Sequence, residues 1–158
     1  MALVALLLGG CGMAHWEAGS FRNAMGSQGK VERLDVNRPV RDIAATFRER
    51  ASACLQTVTR SERSSFHSTH VAIAELNYTP TVVEADGRVE LQLQVRQTVA
   101  IEIGPTNPKG FFVFLAQVTP IDARRSRLEI WSMDWAKALP AAVKGWASGG
   151  FSGCPDLS

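Results

Sequence analysis

The sequence is poor in several residue types, and each scarcity excludes a class of protein. Its 158 residues include only three cysteines, three histidines and one tyrosine. The net charge of +2 is too small to indicate a protein that binds nucleic acid through a basic surface. After residue 11 no run reaches 18 apolar residues, so we predict no transmembrane helix. The composition, 46% hydrophobic and 20% charged, is typical of one globular domain with a tail.

Motifs that carry catalytic or metal chemistry are also scarce. His67 and His70 are three residues apart on a predicted strand, where their side chains would point to opposite faces. Ser64 and Ser65 lie close to His67, but no Gly-x-Ser-x-Gly turn accompanies them. We therefore predict that the protein is not an enzyme, has no metal site and uses no cofactor.

The N-terminal segment carries the most specific motif. An apolar run covers residues 2–8, and two glycines and Cys11 follow it. The run is too short to cross a bilayer as a helix, which needs about 20 residues. A short apolar run followed by small residues is typical of a signal peptide. Leu8-Gly9-Gly10-Cys11 resembles the lipobox of bacterial lipoproteins, in which the cysteine is lipidated and becomes the first residue after cleavage.

This resemblance predicts where the protein resides. It implies a signal peptide over residues 1–10 and attachment to the membrane through a lipid on Cys11. In the family, an aspartate after the cysteine marks inner-membrane retention. Gly12 stands there in this chain, which favours the outer membrane with the domain facing the periplasm. No Lys or Arg precedes Cys11, which leaves a second interpretation, a buried N-terminal segment with Cys11 as a core thiol.

Lipidation of Cys11 would leave two further cysteines as a pair. Cys54 and Cys154 are the only others in the sequence. In an oxidising envelope such thiols are expected to form a disulfide. We therefore predict a Cys54–Cys154 bridge.

The rest of the chain divides into a tether and one domain. Residues 11–36 are rich in Gly and Ser and lack hydrophobic periodicity, which predicts a flexible tether behind the lipidated cysteine. Residues 37–158 are predicted to form a single domain. Its first helix begins near Asn37, and an apolar stripe at helical spacing follows. The stripe comprises Val40, Ile43, Ala44, Phe47, Ala51 and Cys54.

Strand periodicity is clearest in residues 88–96. Apolar residues alternate there with polar ones, which predicts an antiparallel sheet with one buried and one solvent-exposed face. Four to five strands are expected before a second helix at about residues 133–147. Each helix has one apolar stripe, so we predict a two-layer α+β domain in which both helices, the first and last elements, pack on one face of the sheet.

The sequence predicts two candidate surfaces. The aromatic residues near the C-terminal half either line a pocket for an apolar ligand or belong to the core. They are Phe112, Phe114, Trp131, Trp135 and Trp146. The solvent-exposed face of the sheet is either an interaction surface or a face that contacts only water. Its candidate residues are Arg88, Gln92, Gln94 and Arg96.

The resemblance extends beyond the anchor. Cys54-Leu55, the alternating strands and the pattern Trp146…Gly153-Cys154-Pro155 resemble a group of small, uncharacterised proteobacterial lipoproteins. We expect a non-enzymatic cell-envelope lipoprotein that acts as a tethered interaction or scaffold module with an envelope protein partner. The alternative is an envelope module that binds a small apolar or lipid-like ligand between the sheet and the helices.

Overall fold

The computed structural model describes residues 17–64, 71–99, 108, 110–150 and 153–157, without the side chains of residues 61–64, 71–74 and 99. Cys11, the predicted signal peptide, His67 and His70 lie outside the described residues. Helices and strands are numbered in chain order. They are α1 (Ala18–Ser27), β1 (Val31–Val36), α2 (Val40–Arg50), β2 (Val58–Ser64), β3 (Val71–Ala85), β4 (Arg88–Val99), β5 (Phe111–Pro120), β6 (Ser126–Ser132) and α3 (Ala138–Ser148). A π-helical turn, Ala51–Leu55, continues α2.

The described strands form one antiparallel sheet in the order β1-β6-β5-β4-β3-β2. Strands β2 to β6 follow one another as a meander, and β1 pairs with β6 at the far edge. The α+β class and the antiparallel sheet are confirmed. The sheet has six strands where four or five were predicted, and three α-helices stand where two were predicted. Within the described residues, no helix is long and apolar enough to cross a membrane.

The main core lies between α2, α3 and one face of the sheet, here called the inner face. The predicted stripe of α2 is confirmed, since Ile43, Ala44, Phe47, Ala51 and Cys54 are buried and Val40 packs against them. The alternation in β4 is confirmed too. Its apolar residues point to the inner face and are buried, namely Val89, Leu91, Leu93 and Val95.

The prediction of a flexible tether over residues 11–36 was wrong from residue 18 onward. Residues 18–27 form α1, whose Phe21 and Met25 are buried on the opposite, outer face of the sheet. Residues 31–36 form β1, in register with β6. Phe21 and Met25 are four positions apart and therefore lie on one side of the helix, although the glycines and polar residues around them obscure this periodicity. The folded domain therefore includes Ala18 and does not begin at residue 37.

The helix predicted at residues 133–147 starts later than expected. α3 covers Ala138–Ser148 and ends at Gly149, which adopts the left-handed conformation. Trp135 therefore lies before the helix and is 52% exposed. Pro140 is the third residue of α3, where its missing N–H has no intrahelical acceptor to satisfy, so no kink is required.

Pro80 does not interrupt its strand, although a proline within such a run usually argues against a strand interior. Strand β3 runs through it and pairs with β4 along its whole length beyond Ala74. The N–H of Tyr78 donates to the Thr57 carbonyl at 2.9 Å, on the side facing β2. Two residues later the nitrogen of Pro80 faces the same side, where β2 no longer pairs with β3. A proline is tolerated there because it removes no ladder hydrogen bond.

The predicted cysteine pair lies at disulfide distance. Cys54 in the π-helical turn and Cys154 in the C-terminal tail have Cα atoms 4.9 Å apart and are separated by 100 residues. The bridge joins the extension of α2 to the segment that follows α3. The chain-entropy model assigns about 4.7 kcal/mol to a loop of that length.

Candidate functional site

The outer face of the sheet is covered unevenly. α1 packs over β5 and β6, where Phe21 and Met25 contact the cluster formed by Phe112, Leu115 and Trp131. No described element covers the part of the outer face formed by β3 and β4. A groove of about 970 Å³ lies there, here called the outer groove.

The floor of the outer groove consists of polar side chains in opposed pairs on β3 and β4. The register places Asn77 opposite Arg96, Thr79 opposite Gln94 and Thr81 opposite Gln92. All six residues line the groove. Since side chains alternate between faces along a strand, the neighbours Tyr78, Leu93 and Val95 point to the inner face and are buried. The same alternation produces the core on one side and the groove on the other.

The walls of the groove come from distant parts of the chain. Glu17 and Ala18, at the start of α1, line one side together with Phe112 of β5. Gln56, Thr57 and Val58, where the chain enters β2, line it as well, and Val58 is 53% exposed.

Most floor residues have unused hydrogen-bonding groups. Gln92 Nε2 donates to Glu90 Oε1 at 2.7 Å. The side chains of Asn77, Thr79, Thr81 and Gln94 make no hydrogen bond within the described part of the chain. No described residue occupies their donors and acceptors, and all four side chains line the groove.

An ion pair holds α1 beside the groove. The Arg22 guanidinium bonds to the carboxylate of Glu90, whose side chain is only 11% exposed. The same guanidinium lies over the Trp131 ring, 5.7 Å from its centroid, in cation–π geometry. Partial burial lowers the pKa of Arg22 below its ordinary value through desolvation. The interaction fixes the wall formed by α1 relative to the floor formed by β4.

Three of the four predicted interaction residues belong to the outer groove. Gln92, Gln94 and Arg96 line it, as the alternation of β4 suggested. Arg88 lies at the other end of β4, where it borders two smaller depressions near the turn between β3 and β4. Arg88 and Arg96 are eight positions apart along the strand, a distance of about 27 Å.

The predicted aromatic group is not one group. Phe114 and Trp146 belong to the inner core, Phe112 and Trp131 belong to the cluster under α1, and Trp135 is exposed. A β-bulge explains the separation of the two phenylalanines. Leu93 pairs with Phe114 and Gln94 pairs with Phe112, so Val113 is the extra residue and the side-chain phase is shifted. Phe112, Phe114 and Trp146 therefore do not line a common space between the sheet and the helices.

Sequence reasoning missed the half of the groove that lies on β3. Asn77, Thr79 and Thr81 alternate with Tyr78, Pro80 and Val82 in the same way as the residues of β4. The signal is present in the sequence, but a proline in the middle of the run makes a continuous strand hard to predict. The two wall segments carry no local signal, because only tertiary packing brings them to the groove.

The described residues contain no group of three or more His, Cys, Asp or Glu side chains that could hold a metal ion. Comparisons of the chain with protein families, characterised proteins and solved structures find no significant match.

Proposed function

We propose that this protein is a non-enzymatic lipoprotein of the cell envelope that acts as a tethered interaction module and binds its partner in the outer groove. Two kinds of support carry the proposal. The lipobox-like Leu8-Gly9-Gly10-Cys11 supports the anchor, and Gly12 after it supports a periplasm-facing outer-membrane location. The outer groove supports the interaction, because it combines an open concave surface with several polar side chains that have no partner among the described residues.

The observation that carries most weight is the contrast between the two ends of the outer face. Over β5 and β6 that face is apolar and is covered by α1. Over β3 and β4 it is polar, and the first residues of α1 flank it without covering it. A sheet face that only contacts water does not require flanking segments that turn it into a groove. This one is walled by two segments that the fold brings together from either side of α2.

The anchor is tested by measuring the intact mass of the protein made in a Gram-negative host with its own leader, before and after reduction. We expect a chain that starts at Cys11, carries acyl groups and gains two hydrogens when the Cys54–Cys154 bridge is reduced. A chain that retains Met1 and has three alkylatable thiols would contradict the proposal. Residues 1–11 would then have to be explained as part of the domain.

The interaction is tested by placing a photo-crosslinking amino acid at Gln94 in the intact protein in cells. Gln28, an exposed glutamine just after α1, provides a matched control position outside the groove. We expect a discrete cross-linked species from position 94 and none from position 28. Equal products from both positions, or none from position 94, would contradict a binding role for the groove.

A further inference from the structure

We infer that the outer groove binds a neutral, hydroxyl-rich oligosaccharide. The inference rests on the proposed function, since it names the chemistry of the partner that the groove would hold. It starts from the five uncharged side chains of the floor. These are Asn77, Thr79, Thr81, Gln92 and Gln94.

Each of these side chains both donates and accepts hydrogen bonds. Carboxamides present two N–H donors and a carbonyl oxygen, and a threonine hydroxyl donates once and accepts twice. A sugar hydroxyl has the same dual character, so a floor of this composition matches a row of hydroxyls. Gln92 already uses its amide N–H with Glu90, which fixes its orientation and leaves its carbonyl oxygen as the acceptor.

The charge of the groove also favours a neutral ligand. Arg96 is the one cation and Glu17 the one anion among its described lining residues. A phosphate-rich polymer requires clustered cations, which this lining lacks. An apolar ligand would strip water from the floor without replacing its hydrogen bonds, at a cost of about 1–3 kcal/mol for each group.

The dimensions suit an oligomer. Outward residues repeat every second position along each strand, so Asn77 to Thr81 extends over about 13 Å, and the two strands lie about 4.8 Å apart. The volume of about 970 Å³ is near the upper limit for small-molecule sites, which span about 300–1,000 Å³.

An extended peptide is less well matched. Peptides that bind to sheets usually add a strand to a free edge and place side chains in pockets. The edge of β3 next to the groove is paired with β2 up to Asn77, and the Tyr78 N–H donates to the Thr57 carbonyl. The next nitrogen that faces this edge belongs to Pro80, which has no N–H to donate. The floor itself is polar, so it offers no apolar recess for a peptide side chain.

The test is calorimetric titration of the full-length, lipidated protein in detergent with three neutral hexasaccharides, those of N-acetylglucosamine, β-1,4-glucose and α-1,4-glucose. We expect at least one to bind. The double variant Thr79→Ala/Gln94→Ala should weaken it at least tenfold, because it removes two hydrogen-bonding side chains that face each other. Thr79→Ser, which keeps the hydroxyl, should bind more tightly than Thr79→Ala, and Gln28→Ala, outside the groove, should bind like the parent.

A second arm identifies the source of the sugar. Co-sedimentation with purified peptidoglycan sacculi or with vesicles that contain lipopolysaccharide, each weakened by the double variant, would assign the ligand to the wall or to a glycolipid. Binding of none of the three hexasaccharides, or binding unaffected by the double variant, would overturn the inference. If position 94 still cross-links to a protein in cells, only the sugar ligand is refuted. Loss of both results refutes the proposed function as well.

Discussion

Arg22 and Glu90 are 68 positions apart in the chain and form an ion pair between α1 and the central strand β4. The carboxylate lies on the outer face of a sheet whose other strands bury apolar side chains nearby, at Leu115 and Trp131. Arg22 and the Gln92 amide both donate to the Glu90 carboxylate. The pair therefore determines where α1 sits.

Replacing Arg22 should destabilise the protein more than replacing a surface arginine. Arg22→Ala leaves the carboxylate of Glu90 poorly solvated with one donor, and we expect a loss of about 1–3 kcal/mol in the free energy of unfolding. Arg33→Ala removes a more exposed pair with Glu129 and should cost about 0–1 kcal/mol. Urea unfolding followed by tryptophan fluorescence measures both. Equal losses would show that the position of Glu90 does not depend on Arg22.

The β-bulge at Val113 makes Phe112 and Phe114 respond to different parts of the molecule. Phe112→Ala should release α1, so the amide protons of residues 18–27 should exchange faster, without global unfolding. Phe114→Ala opens a cavity in the inner core and should cost about 3–5 kcal/mol of global stability. Native-state hydrogen exchange separates the two effects. Unchanged protection of α1 in Phe112→Ala would contradict the placement of that side chain beneath the helix.

Gly110 and Gly87 share nearly the same backbone conformation but differ in the space around them. Their φ angles are +77° and +71°. A Cβ at Gly110 would lie only 2.2 Å from the carbonyl oxygen of Val95, whereas a Cβ at Gly87 would meet nothing within 4 Å. We expect Gly87→Ala to cost about 1–2 kcal/mol through the left-handed backbone alone. Gly110→Ala should cost about 1–3 kcal/mol more, because β4 and β5 must separate. Equal thermal stabilities would contradict that close approach.

Tyr78 is the only tyrosine in the chain, so its ionisation can be followed directly by ultraviolet absorbance. Burial raises its pKa above the ordinary value of 10.0, with the hydrogen bond to Thr59 acting in the opposite direction. The unfolded chain therefore loses this proton first as the pH rises. The stability that Tyr78 contributes is complete below about pH 10 and declines as the pH rises through the pKa of the folded protein. Tyr78→Phe should remove the absorbance change and make the free energy of unfolding fall less steeply as the pH rises. A midpoint at or below the ordinary value would contradict burial of the phenol, whose hydroxyl lies 3.2 Å from the Leu157 carbonyl.

Periodicity predicted the parts of the fold in which a long segment has one consistent environment. The apolar stripe of α2 keeps its phase over three helical turns, and the alternation of β4 keeps its phase over eight residues. Both predictions were confirmed. The cysteine pair followed from counting, because only two thiols remained once Cys11 was assigned to the anchor. Half of the candidate groove followed from the same alternation, through Gln92, Gln94 and Arg96.

The remaining features depend on contacts that a local pattern does not encode. α1 has only Phe21 and Met25 as buried anchors, and its ion-pair partner is far away in the sequence. β1 forms a strand because β6 offers it an edge, about 95 residues further along the chain. The start of β5 is Phe-Phe-Val-Phe, which is apolar at every position and so gives no phase from which a bulge could be read. Packing alone decides which ring faces which side.

Because α1 belongs to the folded domain, the segment between Cys11 and the domain is shorter than the sequence predicted. Only six peptide steps separate Cys11 from Glu17, and even a fully extended chain covers at most about 20 Å over that length. For a protein anchored at Cys11 as proposed, the outer groove, which Glu17 itself borders, would stay next to the lipid surface. A domain held in this way cannot reach ligands that lie far from the membrane. Whatever it binds must come to the membrane or belong to it.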